Sequence, residues 1–177
     1  MQTVAIAGTR VAGDQGRLPL MEDPKERREH QVVIDAIAES LAGMGEVRVH
    51  ATGVAQYPNL SHLKTPISVT LGEGTTFDRL VRALHPTPAV NGAPREEALA
   101  LIDRYEAVDR GRYGGPVGWV DAAGNGAWAV GIRSAELDGS RARLFAGVGV
   151  VADSDPAAEL AETRAKFQAL LGALLRP

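Results

Sequence analysis

The chain has 177 residues, 45% of them hydrophobic, with a formal net charge of −3 and no cysteine. That is enough apolar material for one substantial core, so a single domain over residues 1–177 is the default. Near-balanced charge argues against a nucleic-acid footprint or a polybasic membrane patch, the lack of cysteine excludes disulfides and thiolate chemistry, and no apolar run approaches a membrane span. The first residues lack the basic and apolar regions of a signal peptide, so a cytoplasmic protein with no nucleic acid and no membrane as partner is expected.

In chain order, Val4 to Ala7 reads as a short buried strand that starts almost at once, as though the fold began in mid-sheet. Asp23-Pro24-Lys25-Glu26 is a capping-box-like helix start, with Asp23 accepting the orphan N–H groups, Pro24 at the first turn and Glu26 three residues after the cap. The helix runs through Val33, Ile34, Ile37 and Leu41 and stops near Gly43 or Gly45. Glu29 lies one turn before Val33 and extends the apolar stripe, an unusual place for an acid. Thr75 to Leu84 reads as a shorter helix with a Thr cap, and Arg95 to Tyr105 as another after Pro94.

From Gly115 the pattern turns to strands, separated by the turn signals Ala123-Gly124-Asn125-Gly126 and Asp138-Gly139-Ser140. Trp128, Val130 and Ile132 are expected to face the core from the middle strand, with Ala129, Gly131, Arg133 and Ala135 on the other face leaving room for a ligand. Phe145, Gly147 and Gly149 are expected to share a face of the next strand, with glycine backbone open to close approach. Asp155-Pro156 opens a last helix from Pro156 to Leu174. On it Glu159, Glu162, Lys166 and Leu170 fall within a sector of about 80° at the edge of the buried stripe.

Each signal also has an ordinary structural reading. Arg133 can pair with a buried acid, Glu159 and Lys166 can form a solvated charge row, and Glu26 can do no more than complete its capping box. His62 and His85 lack the spacing of a histidine metal site, and Gly8-Thr9-Arg10 with Gly13 is too sparse for a phosphate loop. Periodicity and spacing alone support an α+β domain that binds a small anion, with room for a divalent metal on carboxylates.

Seven blocks taken together go further. Ala7-Gly8-Thr9-Arg10, Arg28-Glu29-His30, His85-Pro86-Thr87-Pro88-Ala89-Val90, Tyr113 to Trp119, Ile132-Arg133-Ser134-Ala135, Phe145 to Gly149, and Ser154-Asp155-Pro156 with Glu159, Glu162, Thr163 and Lys166 resemble the chorismate-utilising enzymes, isochorismate synthases among them. The resemblance implies the C-terminal half of that fold, antiparallel sheets packed with helices. It implies Mg²⁺ on Glu29 and Glu162 with Glu26 and Glu159 beside them, and substrate carboxylates held by Arg133 and Lys166. Tyr113 and the Gly147 backbone line the same pocket, and His62 stands at the ring edge as the catalytic-site histidine.

The implied reaction is conversion of chorismate to isochorismate, with water added at carbon 2 and the 4-hydroxyl lost. Ala89 matches isochorismate synthases rather than salicylate synthases, which often carry Thr there, and anthranilate synthases have a different block after the His-Pro. Siderophore and menaquinone synthesis both stay open as the pathway. The family's general base and acid, a Lys and a Glu, belong to an N-terminal half that this chain does not contain. Two expectations follow: an isochorismate synthase represented by its C-terminal half, the rest supplied by another polypeptide or lost through truncation, or a chorismate- and Mg²⁺-binding fragment without turnover. The isolated chain is expected to leave apolar surface uncovered and to be poorly stable or to self-associate.

Overall fold

The computed structural model describes residues 1–11, 19–57 and 60–175. Its main sheet is antiparallel and built around β4 (Leu60–Leu71). β1 (Gln2–Val11) pairs with one edge of β4 along nearly its full length, while β2 (Gly45–Val49) and β3 (Gly53–Gln56) share the other edge. Pro66, which has no N–H to give a neighbour, sits in β4 between the stretches paired with β2 and with β3.

The helix α1 (Pro24–Ala42) lies across one face of this sheet. Its cap is as the sequence predicts, with the Asp23 carboxylate accepting from the backbone N–H groups of Lys25 and Glu26. Val33, Ile34, Ile37 and Leu41 of α1 close on Ala5, Ala7, Ile67 and Val69 of the sheet, and Leu80 of α2 (Phe77–Leu84) completes the core. Burying each such side chain contributes about 1.5–3 kcal/mol. Glu26 and His30, not Glu29, continue the buried stripe toward the N-terminus of α1; Glu29 stands half-buried at its edge.

One residue breaks the pairing of β1 with β4. The register steps from Ala7 opposite Leu63 to Thr9 opposite His62, leaving Gly8 as an extra residue with φ +71°. This bulge fits only glycine, because a Cβ there would lie 2.9 Å from the Glu26 carbonyl oxygen.

The remainder is less covered. α3 (Pro88–Asn91), a short helix that periodicity did not predict, leads to α4 (Arg95–Tyr105), placed where the sequence puts it. Among the described residues β5 (Pro116–Val120) pairs only with β6 (Gly126–Val130), and β7 (Ala135–Asp138) only with β8 (Arg141–Leu144). α5 (Pro156–Leu174) closes the described chain.

Three strand expectations need correction. β1 is ten residues long and only half-buried, since Val4 and Ile6 face outward. β6 ends at Val130, so Arg133 is not a strand residue, and Trp128 and Ile132 are exposed rather than core. β8 ends at Leu144, so Phe145, Gly147 and Gly149 lie on an irregular segment beyond it. The cause is shared: among the described residues the strands of each hairpin pair only with each other. Beyond the ladders a few backbone bonds remain, between Gly131 and Gly114–Gly115 and from the Phe145 N–H to the Ser134 carbonyl, with no third strand to extend them or cover the apolar face. Gly13 lies outside the described residues.

Candidate functional site

The N-terminal turns of α1 and α5 meet through their acids. The Glu26 side chain does not turn back to its own cap; its carboxylate accepts the Thr9 N–H at 2.7 Å. Lys25 Nζ lies 2.5 Å from Glu159 and 3.8 Å from Glu26, tying the two helices together. Glu162 pairs with Lys166 at 2.8 Å, and Lys166 also donates to the Gly147 carbonyl at 3.1 Å. Glu29 presses against the Gly149 backbone, where a Cβ would stand 2.5 Å from its Oε1. The Glu162 and Lys166 side chains are only 16% and 13% exposed, which rules out a solvated charge row.

Crowding sets the titration of this wall. Burial pushes Glu29 above the usual carboxylate range and the charges of Glu26 and Glu162 push the same way, against Lys166 and Lys25. Glu26 is raised first by burial and then by Glu162 and Asp23, with the Thr9 N–H and Lys25 opposing. Burial would lower Lys25, but its hydrogen bond to Glu159 and the charges of Glu26, Glu159 and Glu29 outweigh that and raise it. The excess negative charge is thus offset locally by two ammonium groups.

A cation lies beside these acids. Arg133 holds φ +49°, the only described non-glycine residue at positive φ, and its Nη2 meets His62 Nε2 at 2.5 Å. His62 Nδ1 lies 3.1 Å from Thr9 Oγ1. Burial first, then Arg133 and Lys166, lower the histidine to about 4, so the ring is neutral at physiological pH. Tyr113 stacks on Phe145 at 5.4 Å between centroids, and its hydroxyl lies 3.3 Å from where a Cβ on Gly147 would be. Burial raises the Tyr113 phenol, so it stays protonated as a donor.

The structure therefore brings Glu26, Glu29, Glu159, Glu162, Lys166, Gly147, Tyr113, Arg133 and His62 into one connected constellation. Ala89 is exposed on α3 and joins none of the polar contacts that tie it together. A separate cavity of 170 Å³ between α1 and the α2–α4 segment has Arg95 as its sole charged lining residue and holds none of the constellation. Sequence reasoning gave no role to Lys25 or Thr9. Lys25 had a signal, because a cation in the first turn of a helix opposes the macrodipole and needs a compensating acid. Among the described residues no helix is long and apolar enough to cross a membrane.

A family model described as chorismate binding enzyme matches residues 1–175. The chain is 44% identical to the salicylate biosynthesis isochorismate synthase of Pseudomonas aeruginosa over 97% of its own length and 38% of that protein's. It is 40% identical to isochorismate synthase MenF of Bacillus subtilis, covering 89% of this chain and 34% of the relative. A solved structure of DhbC from Bacillus anthracis superposes with a TM-score of 0.91 at 40% identity, over 98% of this chain and 48% of the other. The chain thus spans less than half the length of each of these relatives. On a match that runs almost from end to end, the chain belongs to the chorismate binding enzyme family.

Proposed function

We propose that this chain forms the carboxylate clamp and the metal-holding wall of an isochorismate synthase-type site, acting on chorismate. The observation that carries the reading is the gathering of cations and acids in one cluster: Arg133 against His62, Lys166 bridging Glu162 and the Gly147 carbonyl, and Glu29 within the field of both Glu162 and Lys166. A guanidinium suits a planar carboxylate, and Lys166 adds a point charge beside the open Gly147 backbone.

The donor set is compatible with Mg²⁺. Among the described residues no three His, Asp or Glu side chains form a ready-made cage. Mg²⁺ does not need one, since it is commonly held by one or two carboxylates with the remaining positions filled by water and substrate oxygens. Glu29, raised first by burial and then by its like-charged neighbours, is the acid that a dication would relieve, with Glu162 as its partner. Glu26 and Glu159 are already engaged by the Thr9 N–H and by Lys25, and act as supports. When bound, Mg²⁺ neutralises this wall and polarises a substrate carboxylate.

These side chains bind and orient. The Lys base and Glu acid that the resemblance implies are not among them, so the reading assigns this chain recognition of chorismate, and assigns addition of water at carbon 2 to a site completed by those groups. Calorimetric titration of the purified chain with chorismate, with and without Mg²⁺, tests it. Binding is expected to strengthen with Mg²⁺, to lose that gain in Glu162→Gln, and to weaken about tenfold or more in Arg133→Ala. No heat of binding under either condition rejects the reading. Chromatography of the same mixtures distinguishes isochorismate, salicylate or anthranilate formation from binding alone.

A further inference from the structure

His62 has both ring nitrogens committed. Nε2 faces the Arg133 guanidinium at 2.5 Å, and a guanidinium can only donate, so Nε2 is an acceptor and carries no proton. The single proton of the neutral ring is then on Nδ1, which lies 3.1 Å from Thr9 Oγ1, and the Gly8 backbone also hydrogen-bonds the ring. Free imidazole in a peptide has no such constraint; here the Gly8 bulge sets Thr9 opposite His62, where its hydroxyl meets the ring. Arg133 in turn needs an anchor, because it stands beyond the end of β6 with φ +49°, outside any ladder.

We propose that His62 is a positioning residue that aims the Arg133 guanidinium, locked in the Nδ1–H form by Gly8 and Thr9, and that it is not a proton donor to the ligand. Thr9 links the acids to the Arg133–His62 pair, since its N–H holds Glu26 while its hydroxyl holds His62. A protonated or reversed ring would present N–H to a guanidinium and push it out of place. The benefit of this arrangement to a bound carboxylate rests on the chorismate reading above; the state of the ring does not.

Two measurements test it. Long-range ¹H–¹⁵N spectra of histidine-labelled protein near neutral pH, with the His62 signals assigned by their loss in His62→Gln, are expected to contain a protonated Nδ1 and a bare Nε2. A protonated Nε2, or an imidazolium, overturns the proposal. Chorismate titration then separates aiming from proton transfer. Glutamine can place an oxygen acceptor near the position of Nε2 but cannot titrate, so His62→Gln is expected to bind within about threefold of wild type, while His62→Leu, which leaves the guanidinium unaimed, weakens binding about tenfold or more. Equal losses in Gln and Leu variants overturn the proposal, and the spectra and the Gln titration decide even where the Leu variant does not fold. A wild-type chain with the expected ring state that binds no chorismate rejects the chorismate reading and leaves the locked ring supported.

Discussion

Alanine at position 8 should be costly for two separable reasons. Gly8 holds φ +71°, and a left-handed conformation at a non-glycine residue costs about 1–2 kcal/mol. The new Cβ would also stand 2.9 Å from the Glu26 carbonyl oxygen and 3.3 Å from Glu26 Cβ, where α1 closes on β1. Such overpacking costs about 1–3 kcal/mol. Together these give about 2–5 kcal/mol, which for a chain of this size is a fall in melting temperature of about 4–20 °C. Gly124→Ala is the matched control, with φ +81° and nothing within 4 Å of its Cβ, and should lose only the conformational part, about 1–2 kcal/mol. Urea and thermal unfolding of both variants, followed by circular dichroism, provide the comparison. Equal losses at the two positions would refute the close approach of α1 to the bulge, and a loss below about 0.5 kcal/mol at position 8 would refute the bulge itself.

Glu29→Gln should stabilise the metal-free chain at neutral pH. The folded-state pKa of Glu29 is raised, so its favourable contribution is complete below the ordinary value of 4.5 and is lost as pH rises through the raised one. Melts from pH 4 to pH 8 should therefore converge at the acid end and separate toward the alkaline end, with the variant higher; an unchanged gap across the range contradicts the shift. Lys25→Met should cost about 1–3 kcal/mol, because it strands the buried Glu159 and removes a charge from Glu26, and adding Glu159→Leu should recover part of the loss. A double-mutant cycle with no coupling between these two positions would count against the pair.

The legible parts of this chain were those with local causes. Asp23-Pro24 and Asp155-Pro156 each combine a cap with a proline in the first turn, and α1 and α5 start where those signals put them. Thr76 and Pro94 likewise precede α2 and α4. The strand ends were not legible, because Arg133 and Gly147 fit an alternating pattern that continues past the point where pairing stops. Pairing is a property of the neighbour, and period 2 in one strand carries no information about it. The family blocks named nearly all of the acids and cations of the constellation, yet not what each one touches. Lys25 finds Glu159 across 134 positions of sequence, and Glu26 finds Thr9 only because Gly8 adds a residue to β1 opposite β4.

α1 and α5 are attached to the rest of the chain in different ways. α1 is seated by Val33, Ile34, Ile37 and Leu41 in the core, whereas among the described side chains of α5 only Glu159 is buried. What fastens α5 is charge: Glu159 to Lys25, Lys166 to the Gly147 carbonyl, and just ahead of the helix Asp153 to Arg28. Contacts of this kind answer to ionic strength, the exposed Arg28–Asp153 pair most and the half-sheltered Lys25–Glu159 pair least. The half of the constellation carried by α5 is therefore a salt-tuned attachment, and amide exchange along α5 should quicken with added salt while the exchange of α1 stays level.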